Sequence, residues 1–397
     1  MGDGMLGSKN VVVAGHLCVD IIPDIPISTD KKTFFDLLQP GHLIEVGNAV
    51  FSTGGAAANT GISMHLLDNN VSIVAMVGDD MLGMAVQEMI GKYDAHLNDH
   101  ILVNSETSSS YTIILDPPGI DRMFLHHPGA NNQFGFDDLP TKLIAQADLF
   151  HFGYPQLMRK FMVEDGKHLS DMFQLLKSSN CTTSLDVTFP DPSSEAGKTD
   201  WIAIFEKTLP FVDIFCPSLE EILFMLLPNE FVRMSENGSI LELVTPNLLI
   251  EISDKLLNMG VKIVLLKLGD KGLYLHVCDQ KNLRGMGKAN FAKLSEWADI
   301  RLWTSSYHVN VVGTTGAGDA AIAGFLTSIL HGMSPFEALN FAAGVGACNV
   351  EAFDALSGIK GFDETYKRIN HGWKKNPLCL SSEGWELEPC YDIWYQV

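Results

Sequence analysis

Basic residues are scarce in this sequence: 27 Lys and Arg stand against 48 Asp and Glu, a formal charge of −21. Nucleic acids and anionic membranes are bound through clustered Lys and Arg, so neither is an expected partner. Long apolar runs are missing too. No stretch approaches the roughly 20 apolar residues that span a bilayer, and Met1–Asn10 has no basic segment leading into an apolar one, so a cytoplasmic location is expected. Cysteine is sparse, seven in 397 residues, an odd number without CxxC or zinc-ligand spacing. Reduced thiols are therefore expected rather than a disulfide framework or a zinc site. Cys18, Cys181, Cys216, Cys278 and Cys348 lie in apolar surroundings, where core packing is their expected role. No internal repeat, low-complexity tract or flexible linker divides the chain.

What is present is apolar residue, 46% of the total, arranged in short runs. Val11–Ala14, Ile73–Val77, Leu149–Phe152, Thr183–Val187, Ile214–Cys216 and Val261–Leu268 are nearly continuous, as strands covered on both faces must be. They alternate with segments of helical length such as Leu82–Tyr93, Leu169–Lys177 and Ser253–Met259. That alternation predicts an α/β fold, a doubly wound and mostly parallel sheet flanked by helices. Ile21–Ser52 and Ile101–Asn132 read differently, as short strands broken by turn residues, and are expected to form a small β lid. The expectation for residues 1–397 is one domain with that lid and a C-terminal extension after about residue 371. Leu283–Tyr307 reads as a further addition to the core.

Val311-Val312-Gly313-Thr314-Thr315-Gly316-Ala317-Gly318-Asp319 leads into a segment whose bulky apolar residues fall at helical spacing. A Gly-rich turn thus opens a helix, where free backbone N–H groups and the helix dipole favour an anion. Asp319 at that start is either a capping residue or a carboxylate beside a bound phosphate, able to take a proton from an attacking hydroxyl. From the turn alone, phosphate binding and a structural helix entry are equal alternatives. The Walker pattern GxxxxGK[ST] and the protein-kinase patterns HRD and DFG are absent, which disfavours those two phosphoryl-transfer classes.

Thr314–Asp319 resembles the C-terminal signature of the ribokinase-like, PfkB carbohydrate kinase family. Other segments fall in that family's order over about residues 11–360: the strand Val11–Ala14 followed by Asp20, Gly54-Gly55-Ala56-Ala57-Ala58-Asn59, Val77-Gly78-Asp79-Asp80-Met81-Leu82-Gly83, Pro217–Glu221 and Lys267-Leu268-Gly269-Asp270-Lys271-Gly272. The resemblance implies an ATP-dependent kinase that phosphorylates a sugar hydroxyl. Asp319 would be the base, and the N–H groups of Gly316, Ala317 and Gly318 would hold the transferred phosphoryl group. Asp20, Gly54, Gly55 and Asn59 would bind the acceptor. Lys267, Gly269 and Gly272 would approach the nucleotide, Phe341–Val350 would cover the adenine, and Glu221 would organise Mg2+, through water. Each has a plainer alternative: a solvated turn for Asp20, a helix cap for Asn59, an exposed helix start for Glu221, packing for Phe341–Val350.

Three positions depart from the family pattern. Gly313 stands where an Asp linked to a monovalent cation site is usual, which leaves potassium activation without its residue. Ser218 replaces Asn, and Lys267 replaces Thr, bringing a positive charge to the phosphates. Two alternatives to a sugar kinase stay open. One is a nucleoside kinase of the same fold, with Phe34, Phe35, Phe124 or Phe134 against the base; the other is a sugar or nucleotide binder without turnover. Arg122 and Asn131 are candidates for contacting the acceptor, and a homodimer through the lid is a common arrangement for such a sheet.

Overall fold

In the computed structural model, residues 9–25, 31–118, 120, 122–289, 293–380 and 383–397 are described. The strands run in chain order as β1 (Asn10–Gly15), β2 (Cys18–Pro23), β3 (Ala49–Gly54), β4 (Asn70–Gly78), β5 (Ile101–Asn104), β6 (Tyr111–Leu115), β7 (Met123–His127) and β8 (Leu149–Gly153). They continue as β9 (Thr182–Asp186), β10 (Ile214–Phe215), β11 (Ile263–Lys267), β12 (Leu273–Val277), β13 (Arg301–Thr304), β14 (Trp385–Glu388) and β15 (Ile393–Gln396). Eleven of them form one sheet in the order β14-β15-β13-β12-β11-β10-β9-β8-β1-β4-β5. From β11 to β5 every pairing is parallel, and from β11 to β14 every pairing is antiparallel. The six apolar runs singled out in the sequence lie on β1, β4, β8, β9, β10 and β11.

Those strands are apolar on both sides because both sides are covered. Val11 and Val13 join one core cluster with Ile62, Phe325 and Val345 from the helices Ala56–Leu66, Ala317–Leu330 and Pro335–Asn349. Val12 and Ala14 join a second cluster with Phe173, Phe205, Leu223 and Ile252 from helices on the opposite face. Alternate side chains of one strand thus serve two cores. From β1 the chain steps outward to β4 and β5, then returns to place β8 on β1's other side and continues to β9, β10 and β11. That reversal opens a crevice at the carboxyl ends of β1 and β8, the place where open α/β sheets take their ligands.

A second, mixed sheet of four strands, β3-β2-β6-β7, stands apart from the first. Its bounds correct the expected lid segments. This sheet starts at Cys18 rather than Ile21, whereas Ile101–Asn104 is β5 of the main sheet, paired with β4. The two expected additions are also less separate than they read. Leu283–Tyr307 supplies β13, and the segment after residue 371 supplies β14 and β15, which lengthen the main sheet. Lys375 ties this tail down, donating to Thr304 Oγ1 at 2.7 Å and to the carbonyls of Tyr391 and Asp392 at 2.8 Å each. All seven cysteines are free, and the five expected in the core are buried. Among the described residues no helix is long and apolar enough to cross a membrane.

Candidate active site

The Gly-rich turn converges on the switch point between β1 and β8. Gly316 caps the helix Ala317–Leu330 at φ 77°, and a Cβ there would lie 2.6 Å from that of Ala355, so both conformation and space call for glycine. Asp319 follows in the first turn, 2% exposed. The first amides of a helix have no intrahelical carbonyl to bond; Ala317 N–H makes a long turn contact to the Thr314 carbonyl at 3.4 Å, and Gly318 N–H follows beside this carboxylate. Three residues from other elements hold it. Asn59 Nδ2 donates to Oδ2 at 3.0 Å, Thr60 Oγ1 to Oδ1 at 3.4 Å, and the Tyr154 hydroxyl to both oxygens at 2.9 Å. Burial pushes the Asp319 carboxyl up; Asn59, Lys267, Tyr154 and Thr60 work against that rise.

Asp20 lies across the crevice on the inner face of the small sheet. The strand register places Ser52, Asp20, Thr112 and His126 in one row, on the same face. Cys18 Sγ donates to Asp20 Oδ1 at 3.4 Å, so this cysteine is more than core filler. Burial raises the Asp20 carboxyl to about 6, its bonds to Cys18 and Thr112 opposing and the charge of Asp319 adding to the rise. His16, which follows β1, sets its ring 5.0 Å from that of His126 and 6.4 Å from that of Tyr154. Burial keeps both imidazoles neutral, His126 near 4. His16 Nδ1, His126 Nε2 and Asn59 Oδ1 are buried without a hydrogen-bond partner, and buried polar atoms in a native protein are normally satisfied. A polyhydroxylated molecule offers what they lack.

Gly54 and Gly55 serve this wall differently from the expected close approach to a ligand. A Cβ on Gly54 would overlap the Asp20 carboxylate, and one on Gly55 the backbone and ring of His16. Their small size lets the protein's own polar groups move in.

A second cluster flanks the turn. Lys267, at the end of β11, bonds Asp186 Oδ1 at 2.6 Å and lies against Gly318, where an added Cβ would sit 3.2 Å from its Cδ. Burial works against the ammonium, but the carboxylates of Asp186, Glu221 and Asp319 outweigh it and keep Lys267 charged. Three carboxylates share one cation, so burial pushes Asp186 and Glu221 up despite Lys267. Ser218 and Glu221 form a capping box at the start of the helix Leu219–Leu226, the Ser218 amide donating to Glu221 Oε2 at 2.6 Å. Ser218 thus caps a helix and bridges to the Lys267 backbone. Gly269 and Gly272, both at positive φ, form the turn after β11; a Cβ on Gly272 would overlap the Thr304 carbonyl, a structural reason for that glycine. Asp186 Oδ2 is buried and unpartnered, a hard oxygen beside Glu221 of the kind Mg2+ takes directly or through water. Among the described residues no group of three His, Cys, Asp or Glu could hold a metal. At Gly313 a side chain would crowd the Phe353 and Ala352 carbonyls at 2.7 and 2.9 Å, a structural reason for glycine where the potassium pattern has Asp.

The structure therefore brings Asp20, Asn59 and Asp319 together, and Lys267 and Glu221 beside them. Four secondary candidates fall elsewhere. Asn131 is fully buried and clamps Leu17, accepting from its amide at 3.1 Å and donating to its carbonyl at 2.9 Å, which leaves it no role against an acceptor. Phe34 and Phe134 are buried, the latter packed on Phe161, and Phe341 lies in the core. Arg122, just before β7, reaches Thr315 Oγ1 at 2.5 Å, on the Gly-rich turn. Sequence reasoning missed His16, Thr60, His126, Tyr154 and Asp186. Only Asp186 carried a signal, a lone acid within the apolar run Thr183–Val187.

Known proteins share this fold. The pfkB family carbohydrate kinase profile matches residues 8–360. The probable fructokinase-3 of Arabidopsis thaliana is 24% identical, 89% of each chain being covered, and fructokinase-1 of Oryza sativa subsp. japonica is 24% identical over 89% of this chain and 96% of its own. Among solved structures, Arabidopsis thaliana ribokinase with ribose and ATP superposes with a TM-score of 0.66 at 20% identity, covering 91% of this chain and 98% of that one. Fructokinase with bound ATP from Xylella fastidiosa gives 0.67 at 17% identity, covering 92% and 99%. These structures share the ribokinase-like α/β fold. With the family profile spanning most of its length, the chain belongs to the pfkB family of carbohydrate kinases and is a phosphotransferase with an alcohol group as acceptor.

Proposed function

We propose that this enzyme transfers the γ-phosphate of ATP to a hydroxyl of a sugar, with Asp319 as the base. The observation that carries this is a buried carboxylate in the first turn of a Gly-rich helix start, near the buried Asp20 carboxylate and the unpartnered Oδ1 of Asn59. The acceptor hydroxyl takes its place between Asp20, Asn59 and Asp319. Asp319 accepts its proton as the oxygen attacks phosphorus, and the N–H groups around Gly316, Ala317 and Gly318 stabilise the charge on the transferred group. Lys267, Gly269 and Gly272 border the nucleotide. Magnesium, when bound, neutralises the triphosphate, and Glu221 with the free oxygen of Asp186 would organise it. The four-stranded sheet acts as the lid of one kinase domain, and its outer face pairs with a second copy. Seven unbridged thiols suit the cytoplasm.

An ATP-consumption screen with magnesium over neutral sugars, sugar acids, sugar phosphates and nucleosides tests this. Fructose and ribose come first, since relatives are fructokinases and a structural neighbour holds ribose. ADP release with at least one sugar is expected; silence across all sugars refutes the proposal. Asp319→Asn should leave ATP binding nearly intact while turnover drops by roughly two to four orders of magnitude, the range for loss of a general base. Unchanged turnover would remove Asp319 from that role.

A further inference from the structure

Tyr154 follows β8 with φ 65° and ψ 48°, a left-handed backbone that residues other than glycine seldom adopt. Such positions cost on the order of 1 kcal/mol and persist where the surroundings over-determine them, often at functional sites. Here Pro155 follows directly, and the Tyr154 amide is fixed to the Asp186 carbonyl at 3.2 Å. The outcome of that conformation is a phenol 2.9 Å from each oxygen of Asp319. Packing alone has no need of the hydroxyl, because Phe would fill nearly the same volume.

Its effect follows from what surrounds Asp319. Burial and the carboxylates of Asp20, Asp186 and Glu221 all disfavour a charged Asp319. Against them stand Lys267 and three hydrogen-bond donors. Asn59 and Thr60, from one helix, each touch a single oxygen; Tyr154, which follows β8, touches both. The phenol itself stays protonated, since burial and the charges of Asp319, Asp186 and Glu221 push it well above the usual tyrosine value. It is therefore a permanent donor to the base.

We propose that Tyr154 is a positioning residue for phosphoryl transfer, its hydroxyl fixing both oxygens of Asp319 within a buried, acidic site. This rests on Asp319 being the base. Hydrogen bonds to a carboxylate favour its charged form, so removing the phenol oxygen raises the pH at which Asp319 loses its proton. A protonated base is inactive, and the acid limb of kcat/KM moves up with it.

The test is kcat/KM for ATP-dependent acceptor phosphorylation from pH 5 to 9 in the full chain. Wild type is compared with Tyr154→Phe and with enzyme carrying 3-fluorotyrosine at position 154. Tyr154→Phe should raise the acid limb by about one to two pH units, the size of one charge-assisted hydrogen bond. Its loss relative to wild type then grows as pH falls below the limb, approaching roughly tenfold for each pH unit the limb has moved, and is least at pH 8.5. 3-Fluorotyrosine, a stronger donor of nearly the same shape, should move the limb down. An equal loss at every pH in Tyr154→Phe, with the fluorotyrosine limb unmoved, overturns the proposal. If Tyr154→Phe does not fold, the fluorotyrosine limb alone decides, an unmoved limb refuting it. A wild-type enzyme that phosphorylates no acceptor overturns the base assignment itself, and Tyr154's role with it.

Discussion

Asp20 shows what the acceptor wall costs the unliganded protein. Its carboxyl stands near 6 in the fold against an ordinary value of 3.8, and it is 5% exposed. The native protein therefore binds more protons than the unfolded chain between those values, and stability falls as pH rises through that window. Above pH 6 the loss amounts to about 3 kcal/mol. Asp20→Asn should thus melt higher than wild type at pH 8 while matching it at pH 4, and should lose acceptor binding. A variant displaced by the same margin at both pH values would contradict the account. At this scale the sequence made some of the site legible and hid the rest. Asp20, Asn59 and Asp319 stand in short patterns whose spacing is local. Tyr154 and His16 acquire meaning only when β8 and β1 lie side by side, and no local pattern says that a tyrosine after a strand turns left-handed toward a residue 165 positions on.

Strands buried on both faces were the most legible elements, because continuous apolar runs such as Val11–Ala14 and Val261–Leu268 leave few other placements. Short strands with mixed faces were less so. Ile101–Asn104 sits among turn residues like those of the lid, yet its pairing with β4 puts it in the main sheet. The tail was opaque for a similar reason: Trp385–Glu388 is an antiparallel edge strand, joined to the sheet only through Ile393–Gln396, which itself pairs with β13. Ile393 is fully buried in the core that holds Leu339 and Phe325, so the tail is structural rather than appended. Ile393→Ala should cost about 2–5 kcal/mol in chemical denaturation, the range for truncating a core aliphatic residue. A loss under about 0.5 kcal/mol, as at surface positions, would show the tail to be detachable.

On the scale of the whole molecule, the small sheet has two faces of different composition. The inner row holds Asp20, Thr112 and His126 over the crevice. Register places Phe51, Ile21, Ile113 and Leu125 in one row on the outer face, and Phe51 and Leu125 are each 56% exposed. Ile21, which packs against the main core, and Ile113 are half-buried between them, so the row exposes apolar side chains at its two ends. A second copy is the occupant proposed for it, since a sheet face is self-complementary about a two-fold axis. The charge of −21 opposes that encounter, and salt screens the repulsion without weakening the apolar contact. Light scattering should therefore report a dimer that tightens from low to moderate salt, and Leu125→Glu, placing two buried charges at the interface, should be monomeric. Because β2 and β7 carry Asp20 and His126 on the reverse side, the monomer should bind acceptor more weakly while its ATP affinity stays unchanged. A wild-type protein that stays monomeric at tens of micromolar in both salts would leave the outer face to another purpose.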